Sequence, residues 1–429
     1  MLKHRRSAAV RSILPALLLM SLLLPGCSIP QKHAATPDCA FIDYWPPAEN
    51  DKRLHLAVKD LIDMKGVVTT AGSEFLAKHS PPARRDAKCL ALARASNVSI
   101  VGKTNLSELA VGVSGINQYF GTPVNPVSKK RNLIPGGSSS GSAVAVANGT
   151  ADVSFGTDTV GSVRVPAACC GVLGLKTTFG LIPLDGVYPI APSYLDTVGP
   201  MARDVPHLVH GMELLQRDFT ARYQKAGAQR PSAKGIRIGR LYIDGTDPRI
   251  DKAIDAALAS KGFQVVPMSQ DFKTRWLQAE NDGKTVATSS AWLYDQQFKD
   301  QPEIKTRTRA VVAIGAYQYY TNFRGALTRQ ARWRRELDQA FKEVDFIALP
   351  TLKTLPPHIP LLGGTPAFEL LMVGRQNTAA VNFAGNPALA LPIPIDDKVV
   401  PVTSLQLVGP RLSEAQLINA GRLIESDRR

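Results

Sequence analysis

The chain has 429 residues, 44% of them hydrophobic and 20% charged, with 51 Lys and Arg against 36 Asp and Glu for a formal charge of +15. That length and apolar content allow a large buried core and, on length alone, two or three domains. The positive balance suits an anionic partner, but the basic residues are spread out, with one modest concentration between 305 and 342; no aromatic-interleaved nucleic-acid motif is present, so the charge reads as a solvated surface and no nucleic-acid partner is expected.

The N-terminus is organised differently from the rest. Residues 3–11 carry Lys3, Arg5, Arg6 and Arg11, and 13–24 form an apolar run too short to span a bilayer comfortably. A small residue, Gly26, closes it, which is the layout of a cleavable secretory signal over 1–26. Leu24-Pro25-Gly26-Cys27 resembles a bacterial lipobox, although Pro25 is unusual in that slot. Lipid on Cys27 would then anchor an exported chain to a membrane of the cell envelope, since acyl chains contribute affinity per buried methylene. Ser28 after the cysteine, rather than Asp, resembles a signal for outer-membrane delivery. Residues 27–50, with Pro30, Pro37, Pro46 and Pro47, read as a tether, and 51–429 as the folded domain.

Further along, 54–58 predicts a short strand ending at Lys59-Asp60, 83–96 an Ala/Leu-rich helix and 98–101 a strand. A loop rich in Gly, Asn and Pro fills 112–135, and 143–148 reads as a helix closed by Gly149, which tolerates positive φ. Residues 153–155, 236–238, 344–349 and 388–395 are strand candidates, and 249–260 is an amphipathic helix between Pro248 and Gly262. Strands alternating with helices point to a layered α/β fold. Cys169 and Cys170 are adjacent in an apolar run and read as inert buried thiols; Cys39 and Cys89 are the pair that an oxidising compartment would allow to bridge. No Cys/His cluster has zinc-ligand spacing, His207 and His210 being the nearest approach, so no metal is expected.

The densest signal is Gly156-Thr157-Asp158-Thr159-Val160-Gly161-Ser162-Val163-Arg164-Val165-Pro166, a serine on a turn of small residues after a strand. Consecutive N–H groups on such a turn can converge on a developing oxyanion. Together with the earlier cluster Gly136-Gly137-Ser138-Ser139-Ser140-Gly141-Ser142, this stretch resembles the amidase signature family. The resemblance extends to Val58-Lys59-Asp60, to Gly102-Lys103-Thr104-Asn105 with Glu108, to Asp345 through Pro350-Thr351, to Asn382-Phe383-Ala384-Gly385-Asn386-Pro387-Ala388 and to Leu405-Gln406-Leu407-Val408-Gly409-Pro410, in family order over roughly 54–425.

The resemblance implies one large domain with a mixed central sheet between helices, and hydrolysis of a small-molecule or peptide amide without a cofactor. Carried over residue by residue, it makes Ser162 the nucleophile, Ser138 a bridging serine on a cis peptide and Lys59 the general base. A serine hydroxyl needs a base, and a lysine serves only when burial keeps it neutral. The N–H groups of Thr159, Val160, Gly161 and Ser162 would hold the oxyanion, with Asp158, Arg164, Ser139 and Asn105 in support. Val160 stands where the family has Gly, a β-branched residue at a position that would ask for positive φ; Ser140 and Cys169 also depart from the pattern.

Three rival readings compete. Gly137-Ser138-Ser139-Ser140-Gly141 matches the nucleophile-elbow pattern of α/β-hydrolase esterases with Ser139 as nucleophile, but Lys129-Lys130-Arg131-Asn132 is no strand. A binding lipoprotein that kept the fold and lost the chemistry is favoured by Val160 and opposed by intact Lys59, Ser138 and Ser162. A tRNA-linked amidotransferase component suits the basic charge and is opposed by export. The region 205–345 gives no legible substrate code, and the oligomeric state is open.

Overall fold

The alternating apolar runs become strands of one sheet in the computed structural model, which describes residues 35–127, 132–361 and 363–425. They are β1 (Phe41–Tyr44), β2 (Leu54–Lys59), β3 (Val98–Thr104), β4 (Val153–Asp158), β5 (Leu173–Lys176), β6 (Thr197–Ala202), β7 (Arg237–Arg240), β8 (Gln264–Pro267), β9 (Phe346–Pro350), β10 (Ala388–Pro394) and β11 (Val402–Val408). Their spatial order is β1-β3-β2-β4-β6-β5-β10-β11-β9-β7-β8. Two parallel groups, β3-β2-β4 and β9-β7-β8, are joined through antiparallel pairings of β4 with β6, β6 with β5, β5 with β10, β10 with β11 and β11 with β9. Because β6 and β7 share this sheet, the segment between them does not divide the chain into two cores, and the expected single mixed α/β domain is the one observed.

Strand periodicity assigns the two faces. Leu56 and Val58 of β2, Val153 and Phe155 of β4 and Leu389, Leu391 and Ile393 of β10 join one apolar cluster with the helices Val205–Glu213, Phe219–Gln229, Pro248–Ala259 and Glu414–Glu425. Ala57 and Ala390 turn the other way, onto the helices Ser140–Ala147 and Arg164–Cys170. A third cluster gathers the long helices Gln270–Asp295 and Phe323–Glu343 around Ala379–Ala384. Lys59 follows Ala57 by two residues, so the same pleat sends it toward the Ser140–Ala147 side. It is also the last residue of β2, just as Thr104 ends β3 and Asp158 ends β4. The three parallel strands thus finish side by side, and the loops that leave them meet where an open α/β sheet ordinarily carries its site.

Several expectations change. Phe41–Tyr44, expected in the tether, is an edge strand antiparallel to β3, because Ala40, Phe41 and Ile42 supply an apolar run that buries. The expected helix over 83–96 shrinks to Ala91–Ala95 after a single 3-10 turn, Lys88–Leu90. Its first half is instead held extended: Ala83 N–H donates to the Val67 carbonyl and Ala87 N–H to that of Asp63. Strand β3 continues through Gly102-Lys103-Thr104. No disulfide joins Cys39 to Cys89, while Cys169 and Cys170 are buried free thiols, with burial pushing Cys169 up to about 12. The signal segment, Cys27 and Lys129 to Arg131 lie outside the described residues.

Candidate active site

Lys59 is fully buried, and its Nζ donates to Ser138 Oγ and to Thr157 Oγ1, both at 2.8 Å. Both partners are neutral hydroxyls, so nothing adjacent offsets the cost of burying the charge. Burial pulls the Lys59 ammonium down to about 7, against the opposing pull of Asp158 and Asp196. Ser138 follows a cis Gly137–Ser138 peptide, as the resemblance implied. The Ser138 carbonyl accepts from Ser107 N–H and Ser140 N–H, fixing the serine between two loops. Gly141 completes this arrangement through close approach: a Cβ there would lie 2.2 Å from the Ala40 carbonyl oxygen and 2.5 Å from Asn105 N.

The second half of the site is the turn after β4. Asp158 organises it by accepting from Gly161 N–H at 2.7 Å and Val163 N–H at 3.2 Å. Arg164, also fully buried, clamps the same carboxylate with two bonds of 3.0 Å. Burial opposes ionisation of Asp158, but Arg164, Lys176 and the Asn382 amide overcome it and hold the carboxyl at about 2. Arg164 reaches on to the Thr378 carbonyl, Asn382 and Gln406, which links the turn to β11 and to the Ala379–Ala384 helix. Thr159 is braced separately, its hydroxyl donating to the buried Asp196 at 2.7 Å.

This geometry sorts the sequence-derived residues. Lys59 and Ser138 meet directly. Ser162 joins them through the backbone, its carbonyl accepting from Ser139 N–H at 3.2 Å, while its hydroxyl bonds to no described residue and the residue keeps 8% exposure. Of the four expected oxyanion donors, Gly161 gives its N–H to Asp158 at 2.7 Å. The N–H groups of Thr159, Val160 and Ser162 have no acceptor among the described residues. The expected strain at Val160 is absent too: the positive φ falls one residue later, on Gly161 at +132°, where a Cβ would sit 2.3 Å from Thr378 Oγ1. Thr378 donates its hydroxyl to the Val160 carbonyl and so locks that peptide. Ser139 is fully buried and its hydroxyl donates to the Thr157 carbonyl at 3.3 Å. Asn105 bridges the Cys39 and Gly121 carbonyls through its amide, and its own carbonyl accepts from Gly141 N–H at 2.9 Å.

Sequence reasoning missed Thr157 as the second partner of Lys59, although it lies inside the quoted Gly-Thr-Asp stretch. It also left Asn382 and Gln406 as unassigned members of quoted motifs, when both hold Arg164. Asp196 carries no local signal, because its role follows from pairing β4 with β6.

Residues 54–418 match the Amidase family. The chain belongs to it. This amidase is 34% identical to a component of the glutamyl-tRNA(Gln) amidotransferase of Halobacterium salinarum, over 86% of this chain and 94% of that relative. It is 33% identical to the 2-amino-5-chloromuconic acid deaminase of Comamonas testosteroni, over 87% of this chain and 81% of that one. A crystal structure of an amidase superposes with a TM-score of 0.71 at 27% identity, covering 87% of this chain and 84% of the other. The reaction of the present chain is accordingly hydrolysis of a carboxylic amide C–N bond with a serine nucleophile.

The Asp158–Arg164 pair gives a direct test of what holds the turn. Arg164→Met removes the partner of a buried carboxylate without opening a large cavity, and stranding such a charge costs about 3–5 kcal/mol. A clear drop in the urea midpoint is expected, and an unchanged midpoint would show that the pair is not what secures the turn.

Proposed function

We propose that amide cleavage here proceeds through an acyl-Ser162 intermediate, with Lys59 as general base and Ser138 as the relay. The observation that carries this reading is Lys59 Nζ, buried, lowered to about 7 and 2.8 Å from Ser138 Oγ. When neutral, the amine donates to Thr157 and turns its lone pair to Ser138. Ser162 Oγ then attacks the carbonyl carbon, its proton passing to Ser138 Oγ while the Ser138 proton passes to Lys59. The tetrahedral oxygen collects the free N–H groups of Thr159, Val160 and Ser162, which supplies the preorganised stabilisation such a centre needs. Collapse breaks the C–N bond, and the proton returns through Ser138 to the leaving amine or ammonia. Water repeats the sequence on the acyl-enzyme.

Observations on the rivals favour this assignment. Ser139, the esterase nucleophile, is sealed and already donates its hydroxyl to the Thr157 carbonyl. The non-catalytic reading lost its main support once Val160 proved to need no positive φ. Similarity to the Halobacterium protein brings an amidotransferase reading with it, but an exported chain has water, not charged tRNA, as its acceptor. Export itself is part of the proposal: 1–26 as signal, Cys27 as the lipidated anchor in the cell envelope, and the amidase domain beyond a short tether. No helix among the described residues is long and apolar enough to cross a membrane.

Substitution separates the roles. Ser162→Ala is expected to cut turnover of a simple amide by at least about 10,000-fold and to abolish labelling by a fluorophosphonate. Lys59→Ala and Ser138→Ala should each cost ~100-fold or more, and their double variant little beyond either alone, because the two act as one relay. Label recovered on Ser139, with Ser162→Ala still active, would transfer the nucleophile to the esterase site.

The pH profile follows from the sign of the Lys59 shift. The competent form is the free amine, so kcat/KM rises with pH through about 7 and falls ~10-fold for each further unit of acid. An acidic optimum points to a carboxylate base instead. For the anchor, Cys27→Ala should move the protein from the detergent phase to the aqueous phase and remove the acyl mass from its N-terminus; unchanged partitioning and mass dispose of the lipobox.

A further inference from the structure

A row of aromatic side chains begins on the loop that braces Thr159 and ends in solvent; Phe323 belongs to the apolar core and Tyr194 and Tyr319 pack against it, but the catalytic chemistry uses none of these rings. Its inner end is fixed beside the oxyanion donors. The carboxylate of Asp196 takes the Thr159 hydroxyl on one oxygen and the N–H groups of Ile190 and Ala191 on the other. Tyr194 sits on the loop folded around that carboxylate, with its own N–H donating to the Ala191 carbonyl. From Tyr194 the row continues to Phe323, edge-on at 5.9 Å, and then through tilted contacts to Tyr319 at 5.3 Å and Trp292 at 5.0 Å. Tyr320 touches both of the last two and ends the row in solvent at 76% exposure.

Val160, half-buried, packs against the same apolar cluster as Tyr194, Phe323 and Tyr319. The hydroxyls of Tyr194, Tyr319 and Tyr320 bond to no described residue, so the rings are not held there by polar contacts. Two acid–base pairs lie on the flanking helices, Glu280 with Lys284 and Asp282 with Arg329. In the cluster that Val160 joins, this row supplies aromatic surface, of the kind that lines sites for apolar ligand groups.

We propose that Tyr194, Phe323, Tyr319 and Trp292 receive the acyl side of the substrate, and that the substrate class is an amide whose acyl group is aromatic or long and apolar. This rests on the reading that Ser162 is the nucleophile and that the turn before it holds the carbonyl oxygen. An acyl chain seated with its carbonyl at Thr159 to Ser162 would lie along the rings, and the amine would leave on the side of Ser138.

The test compares ammonia release from acetamide, hexanamide and phenylacetamide, three primary amides with one leaving group. The wild type should favour phenylacetamide over acetamide in kcat/KM by ~10-fold or more, the usual return on a filled apolar pocket. Tyr319→Ala and Tyr194→Ala should each shrink that ratio several-fold. Tyr317→Ala, exposed on the same helix but outside the row, should leave the ratio intact; Tyr319→Leu stands in if the alanine variant fails to fold. Equal kcat/KM for the three amides, or a ratio unmoved by both substitutions in the row, overturns the proposal. So does a preference that appears only when the amine is varied between N-methyl and N-phenyl, since it would put the rings on the leaving-group side. Fluorophosphonate labelling of Ser162 in the same samples keeps the two readings apart: its loss with the acyl preference intact would remove the nucleophile assignment and not the aromatic row.

Discussion

Asp158 is the group around which the site is assembled. Within seven residues of chain it accepts from two backbone N–H groups and a guanidinium, and a side-chain amide reaches it from a distant helix. Each bond removes a competitor for another job. Gly161 and Val163 spend their N–H groups on the carboxylate, while those of Thr159, Val160 and Ser162 have no acceptor among the described residues. The cost of burying it falls on Arg164, and an ionic contact in a dry interior repays that cost only when the remaining donors are also satisfied. Here Arg164 has four partners, Asp158, Thr378, Asn382 and Gln406, and none is solvent.

The same interior holds three fully buried lysines, and comparing them explains why only one is assigned chemistry. Lys103 lies 2.7 Å from the Asp60 carboxylate, an ion pair that keeps its charge matched. Lys176 gives its protons to the carbonyls of Thr177 and Asn386, which suits a donor with a fixed structural task. Lys59 faces two hydroxyls, and a hydroxyl can receive a hydrogen bond or return a proton. Burial lowers Lys176 and Lys59 alike to about 7, so the shift by itself does not mark a base. The distinguishing feature is a neighbour that can relay.

Much of this was legible in the sequence, for identifiable reasons. Lys59, Ser138 and Ser162 sit in short stretches whose residues are neighbours in space because they are neighbours in the chain, and the sheet merely brings three such stretches to one edge. The end of β2 was legible, with Lys59 as its last residue, but β4 runs three residues beyond the expected 153–155, to Asp158. The supporting contacts were not legible: Asp196 and Gln406 are placed by the β4–β6 and β10–β11 pairings, and Thr378 by the start of the Ala379–Ala384 helix, none of which a local pattern encodes. Val160 shows the opposite error, a local rule applied to the wrong residue, since the turn puts its positive φ at Gly161. The helix expected over 83–96 failed because composition favours helix there while backbone contacts with 63–67 hold the chain extended.

Arg164 also sets an order of events in folding. Its bonds to Asn382 and Gln406 span 218 and 242 residues of chain. Contacts of such separation form late, after the entropy of closing the intervening loop has been met. During synthesis the Asp158–Arg164 turn therefore emerges before Asn382 and Gln406, the residues that complete the hydrogen bonds of Arg164. The clamp on Asp158 is thus complete only when β11 and the Ala379–Ala384 helix have joined the fold.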